Sequence, residues 1–277
     1  SIFSTMLFCK LVNGGKLEIK LPESVPSNVA RSFSVLFPAA LSILAISAFG
    51  FAFKMVTGMT LFDAIKTFLQ APLQGIMTGL PGFLAYTCFA NILWMFGIHG
   101  TQTLSAVASP ILLAAFAENE AAYLANQPIP NIICTPFQSM YMSLTGAGVT
   151  GGMIIAIMLF SKREDYRQIA KLSIPCGIFN INEPMTFGIP IVLNPMFAVP
   201  FILTPVVCVI IGYVMTSIGF AGRGVVNAPW TTPPVIAAFL DTGGSIGAAI
   251  TQVIILAVST LIYTPFIIAA NANQEEA

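Results

Sequence analysis

The sequence predicts an all-α polytopic membrane protein, and three observations predict it. Apolar side chains make up 56% of the 277 residues and charged ones only 8%, with a mean hydropathy of +0.87. Soluble domains carry charge on roughly a quarter of their residues, so a chain with so little cannot cover itself with water-compatible surface, and lipid must solvate much of it. The apolar residues also gather into runs near the ~20 residues that a bilayer crossing needs. Finally, the 22 Gly and 19 Pro suit membrane helices, which tolerate both better than soluble helices do. The expected architecture is about five transmembrane helices, two re-entrant hairpins and one amphipathic helix.

Along the chain, residues 1–12 (SIFSTMLFCKLV) are apolar but too short to cross, and they read as the end of a truncated helix. A polar link follows, so residues 1–31 form one expected unit and residues 32–277 a second, the transport domain with its binding site. The first full span is 32–53, bounded by Arg31 and Lys54. Over 61–79, Leu61, Phe62, Ile65, Phe68 and Leu69 recur at helical spacing while Asp63, Lys66 and Gln70 share the other side, which predicts an amphipathic helix at the interface. Further spans are expected at 81–98, 146–160, 196–220 and 245–270.

Two stretches fit neither span nor loop. Residues 99–136 and 172–195 hold moderately apolar segments broken by Pro, Gly and Asn. Non-helical backbone at membrane depth survives only where protein or water satisfies it, and paired broken segments point to a transporter's binding site. Both are read as re-entrant hairpins. Lys162, Arg163, Arg167 and Lys171 outweigh Glu164 and Asp165 in the loop between them, which places that loop in the cytoplasm. The link 221–244 then lies outside and the C-terminus inside.

Several function classes lack support. Net charge is zero, which gives a nucleic-acid partner no electrostatic footing. Five cysteines are scattered without CxxC spacing and read as small hydrophobes. With one histidine and no HExxH, no metal site is expected. Walker, Rossmann and GxSxG patterns are missing, and no cofactor is expected.

Glu183 is the most informative position. Ten residues on each side of it are uncharged, in a segment reading NINEPMTFGIP. An acidic group at membrane depth costs about 2.5–3.5 kcal/mol on insertion scales, so it usually faces a cavity. The competing explanation is a carboxylate that only begins a helix near the aqueous surface. Asn180 and Asn182 add hydrogen-bonding capacity beside it. His99, the single histidine, ends an apolar run between Gly97 and Gly100, and its ring suits a general base or a ligand group as well as a structural hydrogen bond. Trp94 and Trp230 are candidates for stacking on sugar C–H faces, against the alternative of an interfacial aromatic belt. Arg223 and Asp241 are expected to be solvated loop charges.

These segments resemble a known family. The run IPCGIFNINEPMTFGIPIVLNP (174–195) is similar to the signature region of the enzyme IIC subunit of lactose/cellobiose-type bacterial phosphotransferase systems. FGIHGTQT (96–103) resembles that family's histidine segment, and IKLPESVPSNVARSFSVLFP (19–38) the start of its mid-protein span. The resemblance implies a multi-pass permease of the bacterial plasma membrane that binds a disaccharide of cellobiose, chitobiose or lactose type. A phosphocysteine on a separate IIB protein would phosphorylate the sugar's 6-hydroxyl, so this chain would act as a phosphotransferase only jointly with its IIB and IIA partners. It further implies His99 and Glu183 as catalytic residues near that hydroxyl, and Trp94, His99, Asn182, Glu183 and Trp230 as substrate-binding residues. The full-length protein is expected to be a homodimer, with this chain beginning near the last helix of its dimerisation bundle. The rival is an ion-coupled secondary transporter in which Glu183 and His99 relay protons. A module that does not transport, with buried polar groups only fixing helix packing, is a third class.

Overall fold

The computed structural model describes residues 2–14, 34–65, 67–68, 71–189 and 191–275. All regular structure among them is helical. The chain divides into two compact units, Ser1–Ala71 and Pro72–Ala277. The boundary expected at 31/32 lies outside the described residues.

The first unit packs α1 (Ile2–Asn13) against α2 (Leu36–Thr57). α2 keeps Pro38 and Ser42 buried and presents Ile43, Leu44, Phe49, Phe51 and Met55 outward. That pattern would be unstable in water and is what lipid selects. The Ser42 hydroxyl donates to the Pro38 carbonyl at 2.7 Å, which satisfies it within its own helix. α2 stops at Gly58, whose φ of 73° supplies the left-handed cap. Thr60 and Asp63 then exchange hydrogen bonds as a capping box and start α3 (Leu61–Ile65). The expected amphipathic helix is described only in pieces, because Lys66, Leu69 and Gln70 fall outside the described residues.

The second unit runs α4 (Ala71–Met77), α5 (Leu80–Met95), α6 (Gly100–Leu124), α7 (Thr135–Phe137), α8 (Thr150–Phe160), α9 (Glu164–Ile178), α10 (Glu183–Gly188), α11 (Pro195–Ser217), α12 (Ile236–Asp241) and α13 (Ile246–Glu275). Among the described residues five helical stretches are long and apolar enough to cross a membrane: Leu36–Thr57, Gly100–Leu124, Thr135–Phe160, Pro195–Ser217 and Ile246–Ala272. The chain is a multi-pass membrane protein.

Two expectations need correction here. The expected span at 81–98 is the 16-residue α5, shorter than the other five. The stretch 99–136, expected to break before crossing, instead opens with the unbroken 25-residue α6. Pro110 lies inside that helix without ending it. Proline removes one N–H and crowds the preceding turn, but a long helix packed on its neighbours absorbs that loss. The second stretch does break. α9 and α10, both shorter than a crossing, flank a turn at 179–182 and fold back so that Gly188 lies against Ile169.

Two buried clusters hold the unit together, one around Phe83, Phe137 and Tyr141, the other around Trp94, Phe197, Phe201 and Tyr263. α8 approaches α13 closely, and a Cβ on Gly152 would lie 2.1 Å from the Ser259 hydroxyl oxygen. Only glycine fits there. At the end of α13, Asn271 accepts from the Lys162 N–H at 2.9 Å and donates to the Phe160 carbonyl at 3.0 Å. The C-terminal end of α13 and the basic loop therefore share one end of the molecule, as the charge pattern requires.

Candidate functional site

The candidate site forms where four non-helical or helix-starting segments meet. The first is a break inside the stretch 135–160. After α7 the chain winds through a π turn at Gln138–Met142, loses helical geometry, and resumes α8 at Thr150. Thr145, Gly146, Gly148 and Val149 all have positive φ. Backbone of that kind leaves N–H and C=O groups without helical partners, and in an apolar surrounding each must find another.

Side chains from distant elements supply them. Asn91 of α5 accepts from the Gly148 N–H at 3.2 Å, and the Tyr263 hydroxyl of α13 donates to the Gly148 carbonyl at 2.7 Å. Asn182 donates to the Ala147 carbonyl at 2.9 Å. Asn180 accepts from the Thr145 N–H at 2.8 Å and donates onward to the carbonyls of Trp230 and Thr232, at 2.7 and 3.0 Å. Asn180 itself has φ 64°, a region that asparagine tolerates better than most residues. Gly146 lets the segments close, since a Cβ there would lie 2.6 Å from the Asn182 side chain.

The result is an open cleft of about 730 Å³. His99 and Glu183 both line it, joined by Asn182 of the turn, Pro184 of α10 and Trp230 of the link. α6 contributes a polar stripe, Thr101, Gln102, Ser105 and Ser109, and the break contributes Gln138, Ser139, Ser143 and Gly146. Glu183 is the one charged residue among the described residues lining the cleft. It opens α10 and is exposed into the cleft, so the two readings of this residue, helix start and cavity lining, describe one position.

His99 is the N-cap of α6. Its Nδ1 accepts from the Gln102 N–H at 3.3 Å, with the Thr101 hydroxyl also at 3.3 Å. A ring nitrogen that accepts an N–H carries no hydrogen, so in the neutral ring Nε2 bears it. His99 is thereby a hydrogen-bond donor at Nε2, which leaves Glu183 as the group suited to receive a proton.

The two tryptophans differ. Trp230 is 64% exposed and lines the cleft, the geometry a stacking wall needs. Trp94 is 2% exposed and belongs to the buried core, its ring centred 4.4 Å from that of His99. It is neither a wall of the cleft nor part of an interfacial belt. It supports the histidine from behind.

The two link charges also bond to backbone, Asp241 buried and Arg223 half-buried. Asp241 is 3% exposed, and its carboxylate accepts from the Ala228 N–H at 2.7 Å, while its carbonyl accepts from the N–H groups of Val225 and Val226. Burial pushes its carboxyl up to about 6. Arg223 donates to the Ile129 carbonyl. Both hold loop backbone.

The polar stripe of α6 escaped the reading of the sequence. The signal was present: Gln102, Ser105 and Ser109 recur at i, i+3 and i+7 within an otherwise apolar segment, which puts them on one helix face. Similarly, the TGAGVTGG run announces a break inside an apolar span.

Comparison with known proteins gives the chain its family. The family described as "Phosphotransferase system, EIIC" matches residues 1–205. The lichenan permease IIC component of Bacillus subtilis (strain 168) is 33% identical over 96% of this chain and 59% of its own length. The oligo-beta-mannoside-specific EIIC component of the same bacterium is 36% identical over 91% of this chain and 57% of its own length. The crystal structure of the transporter ChbC, the IIC component from an N,N'-diacetylchitobiose-specific phosphotransferase system, superposes on 100% of this chain and 65% of its own, with a TM-score of 0.79 and 34% identity. The chain spans about three fifths of the length of the curated relatives it matches. This chain belongs to the EIIC family of the phosphotransferase system.

Proposed function

We propose that the full-length protein is the permease subunit of a sugar phosphotransferase system, that it binds a disaccharide of the cellobiose, chitobiose or lactose class in this cleft, and that it presents the sugar's 6-hydroxyl to a phosphorylated IIB partner. The observation that carries the reading is the lining itself: one carboxylate, one histidine and an exposed tryptophan ring facing a stripe of neutral hydroxyl and amide groups. Sugars require that mixture, because their hydroxyls take hydrogen bonds while their C–H faces stack on aromatic rings. The cleft volume falls within the range of about 300–1,000 Å³ usual for small-molecule sites. Relatives named for cellobiose and lactose support the substrate class. Family membership supports the IIB partner, and the same reading takes the full-length protein as a homodimer.

The chemistry asks little covalent help of this chain. The 6-hydroxyl oxygen attacks the phosphorus of the IIB phosphocysteine, the P–S bond breaks, and the thiolate leaves. The hydroxyl proton passes to Glu183. His99 Nε2–H holds the hydroxyl oxygen in line, and Trp230 fixes the sugar ring. Positioning and one proton acceptor account for most of what phosphoryl transfer needs from an acceptor site.

Reconstituted vesicles test the proposal. Full-length protein with phosphorylated IIB should accumulate sugar 6-phosphate from labelled cellobiose or N,N'-diacetylchitobiose. Uptake of unmodified sugar driven by a proton gradient, without IIB, would replace this reading by ion-coupled transport.

A further inference from the structure

We propose that Glu183 is also the residue that expels the product, making the cleft selective for neutral sugar over the sugar 6-phosphate. This inference rests on the reading above of the cleft as the site of transfer.

Among the described residues that line the cleft Glu183 is the one charge, and it is negative. Sites that retain phosphate esters offer Arg or Lys side chains or uncapped helix N-termini. Among the described residues no lysine or arginine lines the cleft, and the arginines bond elsewhere. Arg163 pairs with Asp165 at 2.5 Å, Arg167 donates to the carbonyls of Met158 and Ser161, and Arg223 donates to the Ile129 carbonyl. None of them lines the cleft. The one long helix that begins at the cleft, α6, is capped from within, its Gln102 N–H taken by His99 Nδ1.

The consequence is a change of sign within one turnover. An ionised Glu183 accepts hydrogen bonds from a neutral sugar. During transfer it takes up the hydroxyl proton and is uncharged, so the incoming phosphoryl group meets no repulsion. When that proton passes to water, a carboxylate faces a phosphate ester carrying about −1.5 to −2 charges, in a cleft that no cation among the described residues lines. The same residue that receives the substrate then drives the product out, and phosphorylated sugar does not compete for the empty site.

Equilibrium titration of the purified full-length protein with cellobiose, N,N'-diacetylchitobiose and the 6-phosphate of each tests this. Wild type should bind the neutral sugar at least about ten-fold more tightly than its 6-phosphate. Raising salt from about 20 to about 300 mM should strengthen phosphate binding and leave neutral binding unchanged. In Glu183→Gln the neutral sugar should weaken while the 6-phosphate tightens by about ten-fold or more, and Glu183→Asp should keep the wild-type preference. Equal weakening of both ligands in Glu183→Gln, or phosphate binding that salt does not change, overturns the inference and leaves the transport reading intact. The salt series on wild type needs no variant to fold. A wild-type protein that binds neither neutral sugar overturns the transport reading, and this inference with it.

Discussion

Asn180 donates from its side-chain amide to the backbone carbonyl of Trp230 over 2.7 Å, joining residues 50 positions apart. With its bonds to Thr145 N–H and the Thr232 carbonyl, one side chain ties the broken helix, the hairpin turn and the tryptophan-bearing link. Replacement by Ala leaves one donor and two acceptors without this partner. Asn180→Ala should lower stability by roughly 1–3 kcal/mol, and weaken sugar binding through Trp230. Asn180→Asp should be worse at neutral pH, since it keeps the acceptor but sets a carboxylate against two carbonyl oxygens. Thermal unfolding in detergent checks both, and an aspartate variant as stable as wild type would refute the clamp.

Binding and transfer separate the roles of the two catalytic candidates. Because His99 Nδ1 is occupied by Gln102 N–H, the ring acts as a donor, and His99→Ala should reduce sugar affinity and phosphorylation-linked uptake in the same proportion. Glu183→Gln keeps a hydrogen-bonding side chain but cannot take the proton. It should cost about 10²–10⁴-fold in transfer rate, well beyond its loss in affinity. Rapid-quench transfer from phosphorylated IIB, compared with titrated affinity, distinguishes them. A His99→Ala variant that binds normally and fails only in transfer would restore the histidine as base.

The two tryptophans predict opposite outcomes. Trp94→Ala empties space in a buried cluster beneath His99 and should cost roughly 3–5 kcal/mol of stability. Trp230→Ala, at an exposed ring, should leave stability within about 0.5 kcal/mol and reduce sugar affinity about ten-fold, with Phe at 230 restoring part of it. Melting curves and titrations on the pair decide the matter, and a destabilised Trp230→Ala would contradict the exposed placement.

Asp241 makes stability depend on pH in a stated direction. Its carboxyl is raised by burial to about 6, against the Ala228 N–H bond that favours the charged form, from an ordinary 3.8. Between these values the folded chain holds a proton that the unfolded chain has lost. Its contribution is therefore fully present below about 4, falls as pH rises toward about 6, and is level above that. Asp241→Asn keeps an oxygen for Ala228 N–H and should remove this component. Melting temperatures across that range, wild type minus variant, should slope downward with pH, and a flat difference would refute it.

Gly146 tests how tightly the site is assembled. Its φ of 91° and the 2.6 Å approach of a built Cβ to Asn182 make Gly146→Ala both strained and crowded. A loss of at least about 1 kcal/mol is expected, together with weakened sugar binding. Unchanged titration and melting would mean the Asn182 turn can move aside at no cost.

The residues show which features the chain encodes locally. Low charge and long apolar runs dictate a lipid solvent and helices to cross it, because hydrophobicity and length are properties of a segment alone. Glu183 stood out for the same reason: a single carboxylate amid 20 uncharged neighbours is visible without coordinates. His99, Asn182 and Trp230 do line the cleft with it.

Burial could not be read that way. Trp94 and Trp230 are the same residue type, yet one is sealed in the core and the other faces the cleft. Asp241 and Arg223 look like loop charges and are instead bonded to backbone. α6 runs through Pro110 because neighbouring helices hold it. In these cases the deciding contacts come from outside the residue's own segment. Composition and periodicity set the solvent and the secondary structure, whereas long-range packing decides which polar groups are consumed in holding the backbone and which remain free to line the cleft.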